Sequence, residues 1–161
     1  MEKAAKLFTA ALALWLSAAS CANSAGLSEE RTKYNRANHV ASVRTIKQSA
    51  RADALLGFKY EHGLGVPQSF EVAADLYLRA AEQGDPTGQY FLGLMYDKGH
   101  GVWQDGILAY KWLNLAAARA PARYREQYLR IREAVASKMT PAQIYAAQRL
   151  AVQWTPKPPQ W

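Results

Sequence analysis

Few residues in this chain have the chemistry of a reactive site. They are three histidines (His39, His62 and His100), one cysteine (Cys21), two G-x-G pairs (Gly63/Gly65 and Gly99/Gly101) and the carboxylate pairs Glu82/Asp85 and Asp97/Asp105. A glycine-rich loop can cradle phosphate, but neither pair has a third glycine or a preceding strand, and no G-x-x-x-x-G-K-[ST] occurs. The histidines are not helical i, i+4 neighbours and no H-E-x-x-H exists, so they read as solvated side chains and not as metal ligands. A serine nucleophile would need a partnered base, and neither G-x-S-x-G nor S-x-x-K is present. With no cleft signal around them, the carboxylate pairs read as surface charge. A single cysteine forms no intrachain disulfide and no cysteine cage. The expectation is therefore no catalytic centre, no cofactor and no metal, and function must lie in a surface.

What positions that surface is a repeat. Shifting the chain by 36 residues lays 52–84 on 88–120 with ten of 33 positions identical: Leu56/Leu92, Gly57/Gly93, Tyr60/Tyr96, Gly63/Gly99, Gly65/Gly101, Val66/Val102, Gln68/Gln104, Ala73/Ala109, Ala80/Ala116 and Ala81/Ala117. A period in this range marks a solenoid. Ala52, Leu55, Leu56 and Tyr60 fall on one helical stripe, which Gly63 and Gly65 end as left-handed caps; Val72, Ala73, Leu76, Tyr77 and Ala80 form a second, closed by Gly84. The next unit repeats this with Phe91, Leu92, Met95 and Tyr96, the caps Gly99 and Gly101, then Leu108, Ala109, Trp112, Leu113 and Ala116. Ser69 and Asp105 stand where second helices need N-caps. Gly57, Gly93, Ala80 and Ala116 are small residues in mid-helix, a sign of close helix approach. The glycine pairs are helix punctuation.

The pattern "LGxxYxxGxGVxQD", followed by Ala109, Trp112 and the Ala116–Ala117 pair, resembles the Sel-1-like repeat (SLR), a relative of the tetratricopeptide repeats. The resemblance covers residues 52–120. Departures are Val72 and Leu108 where the family often has lysine, Ser69 for aspartate in the first unit, and Ala120 for the closing glycine. "MTPAQIYAAQRLAVQW" is similar to the closing segment of many bacterial members. The resemblance implies an all-α fold, a short α-solenoid of helix–loop–helix repeats, and a role in protein binding; Tyr60, Tyr96, Trp112 and the four loop glycines take structural roles. A secreted, cysteine-rich branch of the family is described as binding penicillin. This chain lacks the paired cysteines of that branch, and the activity is not carried over.

Two repeats alone would leave both ends of the core wet, so helical caps are expected at each end. The resulting organisation is a signal peptide over 1–25, an N-terminal capping helix over 26–51, repeats over 52–87 and 88–121, C-terminal capping helices over 122–154 and a Pro-rich tail over 155–161. Tyr124, Tyr128, Ile131 and Val135 stripe the first C-terminal cap. Thr140, Pro141 and Gln143 open the second as a capping box, with Ile144, Ala147 and Leu150–Ala151 as its buried stripe. The tail is expected to be extended and frayed, with Trp154 and Trp161 free or docked.

The leader pairs Lys3 and Lys6 with an apolar run from Leu7 to Ala19 and small residues after it, the order of a secretory signal too short to span a bilayer comfortably. The mature chain is thus expected to be exported, periplasmic or secreted, without a transmembrane span. Cys21 follows "AAS" as a lipoprotein cysteine would, although Ala18 stands where a lipobox prefers leucine, so a lipid anchor is the alternative. Within the net charge of +7, residues 27–51 carry +4, 52–118 carry −4 and 119–138 carry +4. Basic flanks around an acidic middle fit solvated helix faces better than a nucleic-acid stripe, and no nucleic-acid partner is expected.

Those features predict a non-catalytic scaffold or adaptor of the bacterial cell envelope, holding a protein or peptide partner on the solenoid face lined by first helices. Tyr90, Trp103, Asp53, Gln89 and Asp97 are the candidate partner-binding residues, with Glu61 beside them and Phe58 and Leu94 read as core. The alternatives are an envelope hydrolase or penicillin-interacting enzyme, separable by covalent labelling with a β-lactam, and a binder of anionic envelope polymer or lipid, separable by steep salt dependence.

Overall fold

A computed structural model describes residues 29–41, 45 and 48–157. The signal peptide, the Cys21 anchor and Trp161 lie outside the described residues. The chain divides into two compact units, 1–43 and 44–161. Of the first, residues 29–41 are helical, and all of them are exposed.

The second unit holds six helices in its described part: α1 (48–62), α2 (Phe70–Glu82), α3 (Pro86–Lys98), α4 (Gly106–Arg119), α5 (Ala122–Ala136) and α6 (Pro141–Val152). No strand occurs among the described residues. The all-α solenoid expected from the period is what forms. The boundary expected between residues 51 and 52 falls inside α1, because residues 48–51 continue its hydrogen-bonded turns.

Each start and stop has a local cause. Ser69 Oγ accepts from the Val72 amide at 3.2 Å, Asp105 Oδ1 from Ile107 and Leu108 at 2.8 and 2.9 Å, and Thr140 and Gln143 close a reciprocal capping box. Pro86 and Pro141 open α3 and α6, where no amide hydrogen is needed. The four loop glycines have φ between +67° and +77°. The amides of Gly99 and His100 then reach back to the Met95 carbonyl at 2.8 and 3.1 Å, satisfying the end of α3.

The loop also carries a clamp made by a pair of identical glutamines. Gln68 Nε2 donates to the Glu61 carbonyl at 2.8 Å, and Gln104 Nε2 to the Asp97 carbonyl at 2.7 Å. The Ser69 and Asp105 amides donate to the Tyr60 and Tyr96 carbonyls, both at 3.0 Å. Two loops 36 residues apart therefore have one geometry.

Within each hairpin the helices touch at the small residues. A methyl group on Gly57 would sit 2.8 Å from Tyr77, and one on Gly93 would sit 2.7 Å from Leu113, the equivalent position. Between hairpins, a methyl on Gly88 would meet Ala80 at 2.5 Å. The core runs through Ala73, Tyr77, Leu92, Met95, Trp112 and Leu115 on one side and Tyr90, Leu113, Tyr128, Val135 and Ala147 on the other. Helix α4 is central, packing on α3, α5 and α6.

Asp85 caps α3 by accepting from the Gly88 amide at 2.8 Å. Burial raises its carboxyl above the ordinary range, against the opposing pull of the Gly88 and Thr87 amides and of Arg51. A raised folded-state value means that the folded protein favours the protonated acid, so stability is lost as pH rises from the ordinary carboxylate range through the raised value. Asp85→Asn keeps an N-cap acceptor without the charge. Its melting temperature should exceed that of the parent at pH 7, and the gap should close as pH falls towards 4. A gap that widens on acidification would contradict this assignment.

Candidate functional site

First helices α1, α3 and α5 carry a row of rings. Phe58 meets Phe91 at a centroid distance of 5.8 Å, Phe91 meets Tyr90 at 5.4 Å, Tyr90 stacks on Tyr128 at 4.1 Å, and Tyr128 on Tyr124 at 6.2 Å. The ends of the row, Phe58 and Tyr124, are exposed, and the Arg123 guanidinium lies 4.6 Å from the Tyr124 ring. Burial raises the Tyr90 and Tyr128 phenols above their usual range, and burial together with a hydrogen bond to Glu61 raises Tyr77. These hydroxyls stay protonated at neutral pH and act as donors and packing surface, not as bases.

The five candidate residues separate into distinct fates. Tyr90 is only 8% exposed. It was expected as a surface anchor; instead α5 lays Tyr128 flat against it, and Gln127 Nε2 donates to its hydroxyl at 3.5 Å. Gln89 is wholly buried, its Nε2 donating to the Ala81 carbonyl at 3.2 Å across the α2–α3 junction. Both corrections have one cause: α3 lies between neighbours, so positions that look free on a lone hairpin face a helix. Asp53 pairs with Arg79 at 3.1 Å and Asp97 with Lys138 at 3.0 Å, each with about a fifth to a quarter of its side chain exposed. Trp103 is 95% exposed.

Trp103 is also held in place. It stands one residue before the Gln104 clamp and two after Gly101, on a loop whose ends are both bonded to α3. A large apolar side chain displayed on a pinned loop is pre-organised, because little backbone entropy remains to be lost on contact. Phe58, expected in the core, lies at the surface beside His62, with ring centroids 4.1 Å apart.

The carboxylate pairs serve structure. Asp85 and Asp105 are caps, Glu82 pairs with Lys157, and Asp97 with Lys138. His62 Nδ1 is 3.0 Å from the Phe58 carbonyl oxygen, and His100 packs on Phe70 with ring centroids 4.8 Å apart. Among the described residues, no group of three or more His, Cys, Asp or Glu could hold a metal ion, and no helix is long and apolar enough to cross a membrane.

The tail differs from the expectation of fraying. Trp154 packs edge-on against Trp112 at 6.0 Å with Arg119 4.7 Å from its ring, Pro156 lies over Gly84, and the Lys157 amide donates to the Glu82 carbonyl at 2.7 Å. Gly84, with φ at +88°, has no side chain on the face of the α2–α3 turn where the proline sits. Composition gave no hint of this, because the docking depends on where α4 places Trp112.

The Sel1 repeat family model matches residues 50–85 and 86–120, two consecutive copies with the 36-residue offset. The chain is 27% identical over 106 residues to the ERAD-associated E3 ubiquitin-protein ligase component HRD3A of Arabidopsis thaliana, covering 63% of this chain and 16% of that protein. It is similar to the crystal structure of a protective antigen present in uropathogenic Escherichia coli strains displaying an SLR fold, with a TM-score of 0.59 and 30% identity over 65% of this chain and 22% of that one. The chain thus spans less than a quarter of either relative.

Proposed function

Because this chain is a Sel1-like repeat protein, we propose that it is a non-catalytic scaffold of the bacterial cell envelope that binds a protein or peptide partner. The observation that carries this reading is Trp103: one tryptophan, almost wholly exposed, on a loop fixed by its glycines and by the Gln104 clamp. Tryptophan anchors dominate binding energy where they enter a pocket, and a rigid mount reduces the ordering cost. The exposed rings of Phe58 and Tyr124 add apolar area at the ends of the aromatic row. The charged order of the leader followed by its apolar run supports export, with Cys21 as the alternative lipid anchor.

Trp103→Ala tests the reading. Capture of the native partner from an envelope extract should weaken at least about tenfold, the scale of a hot-spot truncation. The melting temperature should not move, because the side chain contributes little to the core. Unchanged capture would overturn the role of Trp103. Mass spectrometry of the mature N-terminus tests export and lipidation together.

A further inference from the structure

The 36-residue equivalence makes a comparison between the two first helices. Ala52, Leu55, Leu56 and Lys59 on α1 correspond to Gly88, Phe91, Leu92 and Met95 on α3. On α3 these positions face α2. The Gly88 site meets Ala80 and the Ala81 amide, Phe91 stacks on Tyr77 at 5.0 Å, and Leu92 and Met95 sit in one cluster with Ala73, Ala74 and Ala81. The loops agree. His100 packs on Phe70, and a methyl on Gly101 would overlap the Phe70 carbonyl; the equivalents Leu64 and Gly65 are exposed, and Gly65 has nothing within 4 Å of its methyl position. Leu92 is 1% exposed and Leu56 is 39% exposed. Six positions on α1 and its loop thus match, residue for residue, a surface that α2 covers one repeat later.

We infer that this face of α1, built from Ala52, Leu55 and Leu56 with Leu64 and Gly65 at its end, is a docking surface for one helix of another polypeptide. The occupant is of the α2 kind, an amphipathic helix with an alanine-rich contact stripe. The repeat supplies the argument for that chemistry: the same surface, in the same register, takes the stripe of Ala73, Ala74, Tyr77 and Ala81. Charge adds a requirement. Lys59 stands exposed where Met95 is buried, so the occupant carries a carboxylate at that rim. A second copy joined head to tail does not meet this need. The exposed side of α6, with Tyr145 and Val152, has Arg149 and no carboxylate. The α2 helix of a second copy is already covered by its own α3.

This surface deepens the scaffold reading and rests on it, but it is separate from Trp103. The probe is a stapled, fluorescein-labelled helix copying residues 69–85, titrated into the full chain and followed by anisotropy. Saturable binding is expected, reduced at least tenfold by Leu55→Asp, whose exposed position leaves the circular dichroism spectrum unchanged, and unaffected by Tyr145→Asp on α6. Should Leu55→Asp perturb folding, Lys59→Glu serves in its place and weakens binding through charge reversal. Absence of saturable binding, or binding indifferent to both α1 substitutions, overturns the inference. So does a dimer in sedimentation equilibrium that Leu55→Asp dissolves, because the occupant is then a second copy. Trp103-dependent partner capture that survives Leu55→Asp alongside a failed titration removes this surface and leaves the scaffold reading standing.

Discussion

Gly101→Ala is expected to cost more than about 3 kcal/mol of stability, while Gly65→Ala, at the equivalent residue, costs about 1–2 kcal/mol. Both glycines hold a left-handed conformation, with φ of +69° and +77°, so the backbone penalty is common to the two. Their surroundings are not. A methyl on Gly101 would overlap the Phe70 carbonyl and lie 2.7 Å from the Glu71 amide nitrogen, both backbone atoms at the start of α2 that cannot turn aside. A methyl on Gly65 would enter open space. Urea denaturation at unchanged slope measures the difference. Equal losses at the two sites would mean that the second loop does not press on α2.

Leu92→Ala should cost about 2–5 kcal/mol, and Leu56→Ala less than half as much. Leu92 is buried among Ala73, Ala74, Met95 and Trp112, where neighbours on three helices cannot all collapse into a cavity. Leu56 has the same side chain at the same repeat position but touches water, so its truncation removes less buried surface and opens no closed void. The same denaturation experiment applies. Comparable losses would place a covering element over Leu56.

Much of the fold was legible because its signals are local. Caps need a short polar side chain at one position, and Ser69, Asp105 and Thr140 are read directly from sequence. The glycine loops announce themselves by recurrence, and their clamp was visible as the Gln68/Gln104 identity, although its role needed the carbonyl positions. The stripe of Ala52, Leu55, Leu56 and Tyr60 was legible as one apolar face, and its first three residues are exposed. The buried residues of α1 are Ala50, Ala54 and Gly57, the last against Tyr77. Periodicity tells which residues share a face and not which face has a neighbour.

The candidate site was less legible for the same reason. Tyr90 and Gln89 are surface positions on an isolated helix pair, and only the stacking of α5 and α2 against α3 buries them. Trp103 stays exposed because a loop residue between a glycine pair and an N-cap has no helix face to turn inward. Trp154 and Lys157 were not, since their partners Trp112 and Glu82 lie 42 and 75 residues away and no pattern links them.

The central claim is that two equivalent hairpins stack in register, the second loop on the first hairpin's second helix. Nuclear Overhauser spectroscopy on the full chain tests it most directly. A cross-peak should join a Gly101 α-proton to the Glu71 amide proton, and the Gly65 α-proton at the equivalent position should show no such cross-peak to a neighbouring helix. A missing Gly101–Glu71 cross-peak in a spectrum that still shows the helices would contradict the stacking and the docking surface inferred from it.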